Sequence, residues 1–315
     1  MLQYIQNQWR KGRKIYGKRS WRETRRTFLH TMRSIRNKRE IEDLENYFAS
    51  YTPDSVLLDR QVGLYELMTR YFLFKNSTPQ ERLEAIINHF DYLKAVFTDE
   101  AIREMYSVDP DNIYDDVSRM KRGFIVWESE ELDLVARLYY GPGQRKEGFL
   151  TLLLTLGKQG VYHANFRFGK GFNGAPAMWI GTVQGYKDGL DNAKTVTKKM
   201  FGYRPKNFIM FLLRHIAAIC KVESIYAVSD EGFYANTHLV RGHRAKVAEL
   251  DPLWKESGGF LCSDERFFNI PLEEYRKPIE EIKSQKRSQY RKRYDLLDQY
   301  EQEIQDHVKP LLRVK

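Results

Sequence analysis

Cysteine is almost missing from this chain: Cys220 and Cys262 are the only two in 315 residues. Cys220 lies in an apolar run and Cys262 in an expected strand. Both read as small core residues, which points to a reducing compartment; one bridge between them is the alternative. Long apolar runs are missing too. No uncharged stretch reaches the ~18 residues of a membrane span, and the nearest candidate, Phe208 to Cys220, is broken by Arg214 and His215. The opening segment, MLQYIQNQWRKGRKIYGKRSW, lacks the apolar centre of a secretion signal, and its charges follow its aromatics. The expectation is a cytoplasmic protein. Histidines do not cluster: His238 and His243 are five apart with no Cys or carboxylate companion, so no zinc site is expected. A Walker loop, a Gly-x-Ser-x-Gly elbow and paired cysteines are likewise missing.

What the chain has is charge in one place. Residues 1–40 carry thirteen Lys/Arg against Glu23 and Glu40, while the remaining 275 carry 39 bases and 40 acids. The net charge of +10 therefore describes a basic arm on a neutral body. Arg10, Lys11, Arg13, Lys14, Lys18, Arg19, Arg22, Arg25 and Arg26 interleave with Trp9, Ile15, Tyr16, Trp21 and Phe28. Cations beside interfacial aromatics suit an anionic surface such as the inner membrane, or the phosphates of a nucleic acid. The plain alternative is a solvated helix face.

Residues 1–122 read as helical. Trp21, Phe28, Met32 and Ile35 recur at near-helical spacing, as do Ile41, Leu44, Phe48 and Tyr51 before Pro53. Thr78-Pro79-Gln80-Glu81 is a helix start, with Thr78 as cap and Glu81 able to reach back to the cap amide. After Gly123 the period changes to two, and Leu132 to Tyr140, Phe149 to Leu156, Val161 to Phe168 and Ala177 to Val183 read as an antiparallel meander. Helices are expected at about 188–201, 205–221 and 245–257, strands at 224–229 and 260–270, and a charged helix from about 272 to 308. The fold class is α+β. Four parts are expected: a basic amphipathic arm (1–45), a helical subdomain (46–122), an α/β domain (123–270) and a C-terminal charged helix (271–315).

Three places could carry chemistry. With a four-residue turn at Gly157–Gly160, one sheet face joins Leu150, Leu152 and Leu154 to His163, Asn165 and Arg167. Such a mixed face suits either a ligand cleft or a covered face bonded to its neighbours. The passage from Trp179 and Gly181 through Gln184, Gly185 and Gly189 brings glycines to a helix N-terminus, where amides can hold an anion. Ser229-Asp230 reads as a strand-end turn first and a catalytic pair second. Arg287, Arg291, Lys292 and Arg293 read mainly as a solvated face.

The chain resembles the VirK/YbjX family, which carries the DUF535 domain. The resemblance rests on Trp179-Ile-Gly-Thr-Val-Gln-Gly185, Thr197-Lys-Lys-Met-Phe-Gly-Tyr-Arg-Pro-Lys206, Ile225-Tyr-Ala-Val-Ser229, Asp251-Pro-Leu-Trp-Lys-Glu-Ser-Gly-Gly259 and Lys286-Arg-Ser-Gln-Tyr-Arg-Lys-Arg-Tyr294. It implies a Gram-negative group associated with virulence, envelope integrity and tolerance of cationic peptides. The segment order after 123 also resembles the GNAT acyltransferase layout, a mixed, largely antiparallel sheet flanked by helices. In that layout a strand splays open to admit an acyl thioester, and the next helix N-terminus binds its pyrophosphate. Gln184-Gly185-Tyr186-Lys187-Asp188-Gly189 departs from the usual Gln/Arg-x-x-Gly-x-Gly/Ala spacing. The likeness implies an acyl-CoA or acyl carrier protein donor held by Trp179, Gly181, Gln184, Gly185 and Gly189. His163 is then the proton acceptor, with Asn165 and Arg167 orienting substrate. The alternatives are a non-enzymatic envelope-stress protein docked on anionic membrane, and a nucleic-acid-binding protein.

Overall fold

The computed structural model describes residues 1–17, 20–52, 54–107, 123–186, 189–237 and 249–313. Helices come first: α1 (Leu2–Tyr16), α2 (Trp21–Arg36), α3 (Lys38–Ala49), α4 (Leu57–Arg60), α5 (Tyr65–Thr69), α6 (Pro79–Val96) and α7 (Asp99–Met105). The start of α6 is held as its sequence dictates. Thr78 Oγ1 accepts from the Glu81 amide at 3.1 Å, and Glu81 Oε2 accepts from the Thr78 amide at 2.7 Å.

Eight strands follow, β1 (Phe124–Ser129), β2 (Leu134–Tyr139), β3 (Leu150–Leu156), β4 (Gln159–Lys170), β5 (Pro176–Gly185), β6 (Ser224–Val228), β7 (Phe260–Leu261) and β8 (Phe267–Ile270). Helices α8 (Leu190–Lys199) and α9 (Pro205–Ile219) cross from β5 to β6, α10 (Asp251–Glu256) precedes β7, and α11 (Ser284–Val308) closes the chain. The sheet order is β1-β2-β3-β4-β5-β6-β8-β7. Only β5 and β6 run parallel, as a helical crossover requires. The expected last strand over 260–270 is a hairpin instead, because Ser263-Asp264-Glu265 turns the chain between two short strands.

One face of the sheet is apolar and packs against helices. Ala136, Leu138, Leu152, Leu154, Ala164, Phe166, Met178 and Ile180 are all at most 1% exposed there. Phe208 of α9 and Tyr300 of α11 meet Trp127 of β1 edge-on at 4.8 and 4.5 Å. Helix α6 lies beside the end of β4 beyond the reach of β3, where the Phe168 amide donates to His89 Nδ1 at 3.1 Å. That placement leaves the polar face of β4 and β5 next to α6 and the β2–β3 loop.

Candidate functional site

The β3–β4 register decides which side chains share a face. Thr151 pairs with Asn165 and Leu153 with His163, so the expected grouping of Leu150, Leu152 and Leu154 with His163, Asn165 and Arg167 is corrected. Leu156 already pairs with Gln159, leaving a two-residue turn, and a bulge between Leu154 and Thr155 moves the pairing by one. The three leucines face the helices, with Ala164 and Phe166.

The opposite face carries a polar row. His163 stands across from Gln184, Asn165 from Thr182, and Arg167 from Trp179. Thr151 Oγ1 donates to Asn165 Oδ1 at 2.9 Å, and Asn165 Nδ2 donates to Glu147 Oε2 at 2.9 Å. Burial pushes the Glu147 carboxyl up. Sequence reasoning missed Glu147, since only the fold brings the β2–β3 loop across β4. His163 has no partner at either ring nitrogen and meets Tyr186 edge-on at 5.5 Å. Burial pulls its pKa down to about 4, so it is neutral at pH 7. It becomes an effective base only if a ligand's charge raises that value. Thr182 Oγ1 and Gln184 Nε2 are also buried without partners. Such a concentration of unsatisfied atoms is what a polar ligand would relieve.

At the same place β5 outruns its neighbour. It pairs with β6 only from Ala177 to Ile180, since β6 ends at Val228 while β5 continues to Gly185. Its pairing with β4 shifts at the same point, from Phe166–Ile180 to Asn165–Thr182, leaving Gly181 as the extra residue. The expected slot beside Gly181 is closed on the sheet face: a Cβ there would lie 1.8 Å from the Glu147 carbonyl oxygen. What stays open is the edge of β5 over 181–185, which has no strand partner toward β6 among the described residues. Gly185 lies against the Tyr162 ring, and Gly189 precedes α8. Lys187 and Asp188 lie outside the described residues.

Elsewhere the candidates are structural. Ser229 Oγ donates to the Glu265 carbonyl at 2.7 Å and accepts from the Gly232 amide at 2.8 Å, while Asp230 accepts from the Leu250 amide at 2.8 Å. This is a turn. Arg287 and Arg293 bond to main-chain carbonyls, of Ile282 and Phe201 respectively. A cavity of about 510 Å³ lies between Tyr203, Arg204, Arg276 and Arg293; Arg204 pairs with Glu256 and Arg276 with Asp298, while Arg293 donates to the Phe201 carbonyl. Among the described residues no group of His, Cys, Asp and Glu could hold a metal ion; His238 and His243 lie outside them.

The basic segment forms a helical hairpin packed on the body. Lys11 meets Glu45 and lies 4.0 Å over the Tyr65 ring, and Arg26 pairs with Glu23 at 2.9 Å. Arg10, Lys14, Arg22 and Arg25 are exposed; Lys18 and Arg19 lie outside the described residues. Helix α2 is turned inside out. It buries Thr27, His30, Thr31 and Ser34 and exposes Trp21 (83%), Phe28 (53%) and Met32 (51%). The apolar stripe of Trp21, Phe28 and Met32 thus faces outward beside the basic residues.

A family described as protein of unknown function (DUF535) matches residues 19–306. The chain belongs to the DUF535 family. Within it, the chain is 28% identical to the uncharacterized protein YbjX of Escherichia coli K12 over 300 residues, covering 90% of this chain and 82% of that one. Two uncharacterized proteins of Haemophilus influenzae match over shorter stretches. One is 28% identical over 42% of this chain and 44% of its own length, the other 29% over 50% and 53%. No solved structure matches. Three of the segments that carried the DUF535 resemblance meet at the 510 Å³ cavity, through Tyr203 and Arg204, Glu256, and Lys286 to Tyr294. Among the described residues no helix is long and apolar enough to cross a membrane.

Proposed function

We propose that the protein is an acyltransferase of GNAT-like layout, taking its acyl group from acyl-CoA or acyl carrier protein and passing it to an envelope component or a protein amine. The observation that supports this is the stretch of β5 that continues past the end of β6. Among the described residues no strand pairs with that edge over 181–185, which leaves it available to an extended ligand beside a row of unsatisfied side chains. The fit is along the edge of β5, since the Glu147 main chain fills the face at Gly181. A bound thioester supplies an activated acyl carbonyl. Thr182 and Gln184 offer their orphan polar atoms to substrate, and Asn165, fixed by Thr151 and Glu147, orients it. His163 takes the proton released as the acceptor bonds to the acyl carbon, once a bound charge has raised its basicity, and returns it to the thiolate that departs as the C–S bond breaks. Thermal-shift measurements with acetyl-CoA, a long-chain acyl-CoA and acyl carrier protein test the reading. A donor at ~100 times its Kd adds about 2.7 kcal/mol, a shift of several degrees. If no donor moves the melting point, the transferase reading fails.

A second reading has its own observation. The exposed Trp21, Phe28 and Met32, flanked by the exposed Arg22 and Arg25, form an interfacial face suited to the anionic inner membrane. This docking is compatible with the transferase and also sufficient for a non-enzymatic envelope protein.

A further inference from the structure

Arg167 is a largely buried cation with no protein partner among the described residues, and its nitrogens still reach solvent, since none is among the buried atoms left unsatisfied. It is 9% exposed, and its guanidinium forms no hydrogen bond or ion pair among the described residues. Its neighbours are a Trp179 ring with the guanidinium carbon 4.8 Å from the centroid, and Gly169, where a Cβ would stand 3.2 Å from a guanidinium nitrogen. A ring face offers a cation some compensation but accepts none of its five N–H donors. Burial pulls its pKa down to about 9, so it stays charged at neutral pH. Proteins rarely leave such a group unpaired, because its desolvation costs several kcal/mol.

The surroundings suit a small ligand. Trp179 stacks on Tyr226 at 4.5 Å, and Phe172 meets both rings edge-on while remaining 56% exposed. The site therefore joins one unpaired guanidinium and a partly exposed aromatic wall. Burial is the one cause acting on the cation's pKa, with no carboxylate contributing.

We infer that Arg167 is the anchor of a subsite for an oxyanion, a carboxylate or phosphate on a small molecule whose apolar part lies against Phe172. A planar fork presenting paired donors matches either group bidentately. This subsite does not depend on the transferase reading, because it rests on the Arg167 environment and its test uses no thioester.

Phenyl phosphate and benzoate are the probes, with benzyl alcohol as the neutral control. Tryptophan fluorescence and melting temperature of the full chain are followed for wild type, Arg167→Met and Arg167→Lys. At least one oxyanion binds and stabilises wild type, and benzyl alcohol does neither. Arg167→Met weakens that binding by ~10-fold or more, the scale of lost charge-assisted hydrogen bonds, and Arg167→Lys falls between. Without ligand, Arg167→Met is at least as stable as wild type, because an uncompensated charge is replaced by a side chain of similar length. The inference is overturned if neither oxyanion binds wild type, or if Arg167→Met binds equally well. It is also overturned if unliganded Arg167→Met melts well below wild type, which would reveal an internal partner.

Discussion

Two buried guanidinium groups in this molecule are treated in opposite ways. Arg145 reaches the carboxylate of Glu66, which also accepts from Tyr16 at 2.8 Å and from Arg70 at 3.0 Å. Burial alone pushes the Glu66 carboxyl up, but Arg145, Arg70 and the Tyr16 hydroxyl more than reverse this and hold it below the usual range. The carboxylate is 2% exposed and ties α1, α5 and the β2–β3 loop together. Glu66→Gln keeps the shape and removes the charge, leaving Arg145 stranded. The expected loss is about 3 kcal/mol in urea unfolding at neutral pH. Because the folded pKa is depressed, the stabilisation is present above the unfolded carboxylate pKa and lost as pH falls through the folded value. The gap between wild type and Glu66→Gln should therefore narrow in acid. An unchanged gap at low pH would show that the cost is packing and not charge.

At the scale of elements, legibility followed how local the determinant was. The α6 capping box, the glycine stop after α10 and the alternating β2 pattern were readable because neighbouring residues set them. Strand β1 was overlooked, and the polar face of β4 was misassigned, because register depends on a bulge that no spacing announces. Helix α2 shows a different limit. Periodicity finds a stripe but not its destination, and here Thr27, His30 and Ser34 took the buried side. The bulge in β5 is the element on which the candidate site turns. Gly181→Ala places a methyl 1.8 Å from the Glu147 carbonyl oxygen, so the β2–β3 loop or β5 must move. A destabilisation of about 3 kcal/mol is expected. Gly143→Ala, in the same β2–β3 loop with nothing within 4 Å, should change stability by less than about 0.5 kcal/mol. Matching melting curves for the two variants would mean that the loop is not seated on β5.

For the whole molecule, the concentration of +11 in residues 1–40 separates a basic hairpin from a neutral body. The hairpin is anchored through Lys11 to Glu45 and through Tyr16 to Glu66, so its outward stripe is presented on a fixed support and not on a loose arm. On the membrane-docking proposal, a fixed basic face with Trp21 and Phe28 at its centre would meet an anionic bilayer with little ordering cost. Flotation of the full protein with phosphatidylglycerol vesicles should recover it, and phosphatidylcholine vesicles should not. Each arginine near such a surface contributes ~1 kcal/mol, so Arg22→Gln with Arg25→Gln should weaken binding ~30-fold. Adding Trp21→Ser and Phe28→Ser should abolish it with helix content unchanged, since these side chains are exposed. Equal recovery on both lipids would place the interaction in the apolar stripe alone. Binding to duplex DNA that falls steeply with salt, without vesicle binding, would assign the basic face to phosphates of nucleic acid.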